Sequence, residues 1–151
     1  MPTKKPINGL STDYYKNGQI KSEGNYKDCG IKDGIWTYWH KNGQKESEIK
    51  YKDGKEDGKW IHWYKNGQKE SEIKYKDGER DGKWTWWYEN GQKRSVNIYK
   101  NGECDGKWTH WYKNGHIKYE EYYEDTTRDD KWTHWHELIR KTQMDITRMR
   151  N

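Results

Sequence analysis

Phenylalanine and alanine are absent from this chain, leucine occurs only at positions 10 and 138, and the two prolines sit at positions 2 and 6. A conventional two-layer core therefore lacks its usual aliphatic material. Long apolar runs are missing as well. No segment approaches membrane-spanning length, and the start, MPTKKPINGL, has no apolar stretch of the signal-peptide kind. Cysteine is scarce. Cys29 and Cys104 fall in equivalent loops about three repeats apart, which at two strands per repeat is roughly 29 Å. That separation is beyond disulfide reach in an extended array. Two unpaired thiols imply a reducing compartment, so a cytoplasmic protein is expected.

Hydrophobic residues make up 28% of the chain and charged residues 36%, a balance that by itself suggests disorder. The 11 tryptophans and 13 tyrosines argue the other way. Each large aromatic ring buries far more area than an aliphatic side chain, so a strand needs few of them. A single coiled sheet with an aromatic interior fits this composition. The formal net charge of +5 is modest.

The aromatic residues are periodic. Trp36, Trp60, Trp84, Trp108 and Trp132 stand 24 residues apart, and Asn42-Gly43, Asn66-Gly67, Asn90-Gly91 and Asn114-Gly115 keep the same step. A fixed period of this size marks a repeat architecture. Asn-Gly is a strong signal for a two-residue hairpin turn of type I′. Folding about Asn66-Gly67 pairs Lys65 with Gln68, Tyr64 with Lys69, Trp63 with Glu70, His62 with Ser71, Ile61 with Glu72 and Trp60 with Ile73. Opposite partners share a face. One face then carries Trp60, His62, Tyr64, Ser71, Ile73 and Tyr75, and the other carries Ile61, Trp63, Lys65, Glu70, Glu72 and Lys74. A four-residue loop between Asp77 and Gly82 would set Tyr75 opposite Trp84 and Ile73 opposite Trp86, keeping the aromatics on one side.

The resulting expectation is an all-β, single-layer antiparallel meander of tandem 24-residue hairpins with about eleven strands. Residues 1–10 read as a loose arm, 11–136 as the repeat domain and 137–151 as a cap or tail. The first hairpin is degenerate, with Ser11 where the period places Trp and Gly24 where later units have Ile, as expected of a terminal repeat. Leu138, Thr142, Ile146 and Met149 recur near helical spacing, so Glu137–Met149 reads as a short capping helix; a final strand is the other option.

The recurring DGKWTHWYKNGQKESEIKYKDG pattern resembles the bacterial variant of the MORN repeat, as found in YwqK-type antitoxins. The resemblance covers about Ser11 to Trp135. It implies a twisted single-layer stack of hairpins, and it suggests protein binding or toxin neutralisation. It carries no catalytic set onto these positions.

No chemistry-bearing constellation emerges. His62, His110 and His134 share one slot, but slots about 9.6 Å apart cannot converge on a zinc whose ligands sit about 2 Å away. Glu70 and Glu72 recur as Glu46 and Glu48 among lysines on an open face, where nothing separates their proton affinities as catalysis requires. The glycines mark turns and match no phosphate loop. A non-enzymatic protein without metal or cofactor is expected.

The outward face is the candidate site. It bears Trp39, Trp63, Trp87, Trp111 and Trp135 among lysines. In unit four (from Trp84) Val96 and Ile98 replace the outward Glu72 and Lys74 of unit three, and in unit five Tyr122 extends the apolar stretch. Asn97 and Glu121 meanwhile take the inward slots of Ile49 and Ile73. Exposed apolar patches of this kind mark contacts, and the occupant is either a partner or the chain's own Glu137–Met149 segment; drift in a tolerant repeat, or a one-residue register shift that turns Ile98 inward, is the other reading. A protein partner is favoured, acting by occlusion as an antitoxin, immunity protein or other inhibitor would. An anionic membrane surface or single-stranded nucleic acid is the less favoured occupant because of the interleaved glutamates. A homodimer covering the aromatic face is open.

Overall fold

The computed structural model describes residues 8–124 and 127–128. Its regular elements are all strands: β1 (Gly9–Tyr14), β2 (Ile20–Lys27), β3 (Ile31–Trp39), β4 (Lys45–Lys52), β5 (Lys55–Trp63), β6 (Lys69–Lys76), β7 (Glu79–Arg80), β8 (Gly82–Trp87), β9 (Lys93–Lys100), β10 (Glu103–Cys104), β11 (Gly106–Trp111), β12 (Ile117–Glu124) and β13 (Thr127–Arg128). They form one antiparallel sheet. Its main path takes eleven strands in chain order, with β7 and β10 attached to β6 and β9. The meander is thus as the repeat predicts. Strand β1 starts at Gly9, inside the segment read as an arm, and Glu137–Met149 lies outside the described residues.

Both turns differ from expectation. The Asn-Gly turn is a three-residue loop in which the Tyr64 N–H donates to the Gln68 carbonyl (2.8 Å) and the Gly67 N–H donates to Tyr64 (2.9 Å). Gly67 has φ 84°, whereas Asn66 does not take a positive φ. This is a type I turn followed by a left-handed glycine. Asparagine is placed there by its side chain, whose oxygen accepts the Gln68 N–H at 3.0 Å. Trp63 consequently faces Lys69, not Glu70, and Glu70 bulges out before His62 regains Ser71. The bulge absorbs the extra loop residue, so the pairs of Ile61 with Glu72 and Trp60 with Ile73 hold.

The type I′ turn belongs instead to Asp-Gly. Asp77 and Gly78 both have positive φ, 51° and 86°, and Lys76 pairs with Glu79 across them. The loop is two residues shorter than expected, Tyr75 meets Arg80, and Ser71 meets Trp86. The register differs from expectation by four residues at Tyr75 and by two at Ser71, and because the side-chain period is two, an even error leaves the faces unchanged.

The aromatic face is the core. Trp36, Ile49, Ile73, Trp84 and Tyr99 are buried on it. From Trp60 the rings run on through Tyr75, Trp84, Tyr99, Trp108 and Tyr123, neighbouring centroids being 4.6 to 5.5 Å apart. These are tilted contacts of the kind aromatic quadrupoles favour. The indole N–H groups are tied down too. Trp36 donates to the Asn25 carbonyl (3.0 Å), Trp84 to Lys74 (2.9 Å) and Trp108 to Ile98 (2.9 Å). Trp60 is the exception, its buried Nε1 having no hydrogen-bond partner. At the N-terminal end the Trp36 ring lies on Gly24, where a Cβ would come within 2.2 Å of it. The missing side chain of the first repeat is the space that Trp36 fills.

Candidate protein interface

Trp39, Trp63, Trp87 and Trp111 end β3, β5, β8 and β11, and all four are half-buried. Trp135 lies outside the described residues. Each described tryptophan is held from the preceding unit. The Tyr15 hydroxyl donates to the Trp39 carbonyl (2.6 Å), Tyr64 to Trp87 (2.8 Å) and Tyr88 to Trp111 (2.8 Å). His40 takes the tyrosine slot, with Nε2 3.2 Å from the Trp63 carbonyl. The turns are stitched alongside, Asn66 Nδ2 donating to Glu89 (3.2 Å) and Asn90 Nδ2 to Lys113 (2.9 Å).

Lysines cover part of this column. Lys45 Nζ lies 5.7 Å from the Trp63 ring centroid and Lys69 Nζ 5.8 Å from that of Trp87, within the range of cation–π attraction. Both are tethered by a carboxylate three residues on: Lys45 to Glu48 at 2.8 Å and Lys69 to Glu72 at 2.7 Å. The hydrogen bond from Lys69, with that from Lys59, holds the Glu72 carboxyl below its ordinary range. Glu70 sits apart from this arrangement, acting on His62 and Tyr64 instead. The two glutamates expected to point the same way thus serve different surroundings.

The cover stops at unit four. Val96 stands where Glu48 and Glu72 stand, so Lys93 has no such tether, and among the described residues no cation lies over Trp111. Val96 pairs with Thr85 on one side and Thr109 on the other. Both threonines are buried, and Val96 and Ile98 are half-buried. The pairing of Lys83 with Ile98 and of Trp84 with Asn97 excludes a one-residue slip. Tyr122 is 45% exposed beneath Lys107, which pairs with Glu120 at 2.8 Å.

One member was missed from the sequence. Ile117 pairs directly with Trp111 and is 57% exposed, in the slot that holds Lys45, Lys69 and Lys93 in units two to four and Ile20 in unit one. The substitution of isoleucine for lysine in that slot was the available signal. Trp87, Val96, Ile98, Trp111, Ile117 and Tyr122 make an apolar stretch in the C-terminal half of this face; Ile20 and Ile35 are exposed nearer its N-terminal end.

Other chemistry is sparse. Among the described residues no three His, Cys, Asp or Glu side chains come together to hold a metal. Both cysteines are free, and burial pushes the Cys104 thiol up, away from the thiolate form.

The MORN repeat variant model matches the chain five times, over residues 7–28, 32–53, 56–77, 80–101 and 105–125. Each match coincides, to within two residues of the strand ends, with one hairpin of the sheet: β1–β2, β3–β4, β5–β6, β8–β9 and β11–β12. No curated protein matches the chain.

Proposed function

Because the chain belongs to the MORN repeat variant family, whose repeats are generally protein- or membrane-binding modules, we propose that it is a non-enzymatic module that binds another protein through Trp87, Val96, Ile98, Trp111, Ile117 and Tyr122. The observation that carries this reading is the interruption of the lysine cover at Val96, which among the described residues leaves half-buried Trp111 with no cation over its ring beside exposed Ile117. A fully solvated sheet gains nothing from that exchange. Interfaces concentrate their energy in a few aromatic anchors surrounded by weaker contacts, and Trp111 is the natural anchor here. Trp39 and Trp63 extend the same face, with Trp135 continuing the column by sequence.

The finer form of the proposal is an inhibitor of the antitoxin or immunity type, acting by occlusion. The stitched turns and clamped tryptophans support it, since a surface ordered beforehand loses little entropy on binding. Cytoplasmic location is part of the proposal, supported by the two free thiols. The lysines that would favour an anionic membrane or nucleic acid are partly spent on glutamates: Lys45, Lys59 and Lys69 are all paired.

The test compares the wild-type chain with V96E/I98K. Immobilised wild type should retain a partner protein that survives high salt and is lost from the folded variant. Retention instead by phosphatidylserine vesicles or oligonucleotides, collapsing steeply as salt rises, would replace the protein with a polyanion.

A further inference from the structure

The aromatic face carries a second pattern at its turn end. The bulge slot holds Glu46, Glu70, Arg94 and Lys118 in units two to five, next to the histidine slot of Tyr38, His62, Trp86 and His110. Charge therefore reverses between units three and four. The equivalent histidines differ accordingly: Glu70 and Glu46 act on His62, whereas on His110 the pull of Glu121 is opposed by Lys118 and Arg94. Around His110 the face opens into a groove of about 500 Å³, with Trp86, Arg94, Trp111, Lys118 and Tyr119 in its walls. Lys118 leans on the Tyr119 ring at 5.8 Å. Among the described residues no carboxylate forms an ion pair with Arg94 or Lys118. Among the described residues the ion-pair contact of Glu46 is with His40, at 3.9 Å.

The order of these charges is minus, minus, plus, plus at an even step of about 9.6 Å. Such a row is complementary to its own reverse. A twofold axis along the strand direction, passing between Glu70 and Arg94, turns one aromatic face onto another and keeps turn end against turn end. It brings Glu70 to Arg94 of the other copy and Glu46 to Lys118, and each contact occurs twice. Lys21, the first unit's residue in this slot, falls beyond the matched four. Twofold interfaces require this self-complementarity, and charge rows of this kind set register and suppress wrong pairings. Half-buried Tyr38, His62, Trp86 and His110 supply the aromatic contact between the two rows.

We propose that a second copy of this chain docks on the aromatic face, its Glu46 and Glu70 entering the groove at Lys118 and Arg94. This dimer leaves Val96, Ile98 and Tyr122 on the opposite face free for a different partner, whereas Trp111 also borders the groove. Its test reads self-association alone, so its failure and the failure of that reading are distinguishable.

Sedimentation of the full chain at low salt should show a dimer. E46R/E70R makes the row all positive and R94E/K118E makes it all negative, so each variant alone should dimerise at least about ten-fold more weakly. An equimolar mixture should recover the dimer, seen as the heterodimer mass in native mass spectrometry. If either charge variant fails to melt cooperatively, E46Q/E70Q and R94Q/K118Q replace them, and both should shift the equilibrium toward monomer. A wild-type monomer at every concentration overturns the proposal, as does a dimer that all variants keep. A monomer that binds a polyglutamate peptide through Arg94 and Lys118 would also overturn it, assigning the groove to an acidic partner.

Discussion

The Tyr64 hydroxyl donates to the backbone carbonyl of Trp87 at 2.8 Å, 23 positions further along the chain. The equivalent bonds of Tyr15 and Tyr88 make this a feature of the repeat. Each unit thereby fixes the strand end that presents the next unit's outward tryptophan, so stacking order and surface geometry are coupled. Tyr64→Phe keeps the ring and removes only the donor. It should cost about 0.5–1.5 kcal/mol in denaturant melts and speed amide exchange around Trp87. Unchanged exchange there would mean the bond does not hold the strand end.

The two core tryptophans of units three and four should differ although their sequence contexts are nearly the same. Trp84 is buried and donates to the Lys74 carbonyl, whereas the buried Trp60 N–H has no partner. Truncation of Trp84 to Ala should cost about 3–5 kcal/mol, and truncation of outward Trp63 much less. Phenylalanine separates the indoles further. W84F loses a hydrogen bond, while W60F removes an unsatisfied donor and should be milder by roughly 1 kcal/mol. Equal melts for W60F and W84F would show that the Trp60 donor is satisfied in solution.

Gly24 is small because Trp36 occupies its side-chain space. Gly24→Ile, which restores the residue of units two and three, should therefore destabilise the chain by about 1–3 kcal/mol through overpacking. The nearest repeat consensus would be the wrong guide at this position. A neutral or stabilising G24I would mean that Trp36 moves aside without cost.

Stability should fall in mild acid. Burial lowers the proton affinity of His62, against the pull of Glu70 and Glu46, and it lowers that of His110 likewise. The unfolded chain takes up these protons near pH 6.5, the folded chain only at lower pH. Stability is then full above about pH 6.5 and declines as pH drops toward the folded values. His62→Tyr and His110→Trp, the residues that Tyr38 and Trp86 place in the same slot, should flatten thermal melting between pH 7 and 5, a window about the histidine value. A slope unchanged in both would assign the acid sensitivity to carboxylates such as Glu72.

Faces were legible in the sequence because strand side chains alternate with period two. The loop at Asp77-Gly78 came out two residues shorter than expected, and the bulge at Glu70 absorbed the extra residue at Asn66-Gly67, so neither error moved Trp60 or Ile73 to the wrong side. Turn type was not legible. Asn66 and Asp77 both precede glycine, and the choice between them rests on a side-chain bond to Gln68 and on where the bulge falls. The lysine cover was hidden for a similar reason. Lys69 reaches Glu72 three residues away only because a bulge sits between them, so strand spacing alone does not put the two together. Ile117 was passed over because its deviation shows in the lysine column, not in the aromatic one.

The last expectation concerns Val96. Replacing it with Glu restores the residue of units two and three, and Lys93 then has the tether that Lys69 has in Glu72. Lys93 should swing over Trp111 as Lys69 lies over Trp87. Val96 is only half-buried and Glu occupies this slot elsewhere, so stability should change by no more than about 0.5 kcal/mol. Collisional quenching of tryptophan emission by acrylamide should fall as Trp111 becomes covered, and partner binding should weaken with it. Adding Ile98→Lys completes the charged surface and should abolish what remains. V96E with K93Q separates the two causes. Binding that recovers when Lys93 is neutralised identifies covering of Trp111 as the block, and binding that stays lost identifies Val96 itself as a contact. A V96E chain that melts several degrees lower would instead show the patch to be covered by the chain's own remaining residues, and the proposed protein site would be withdrawn.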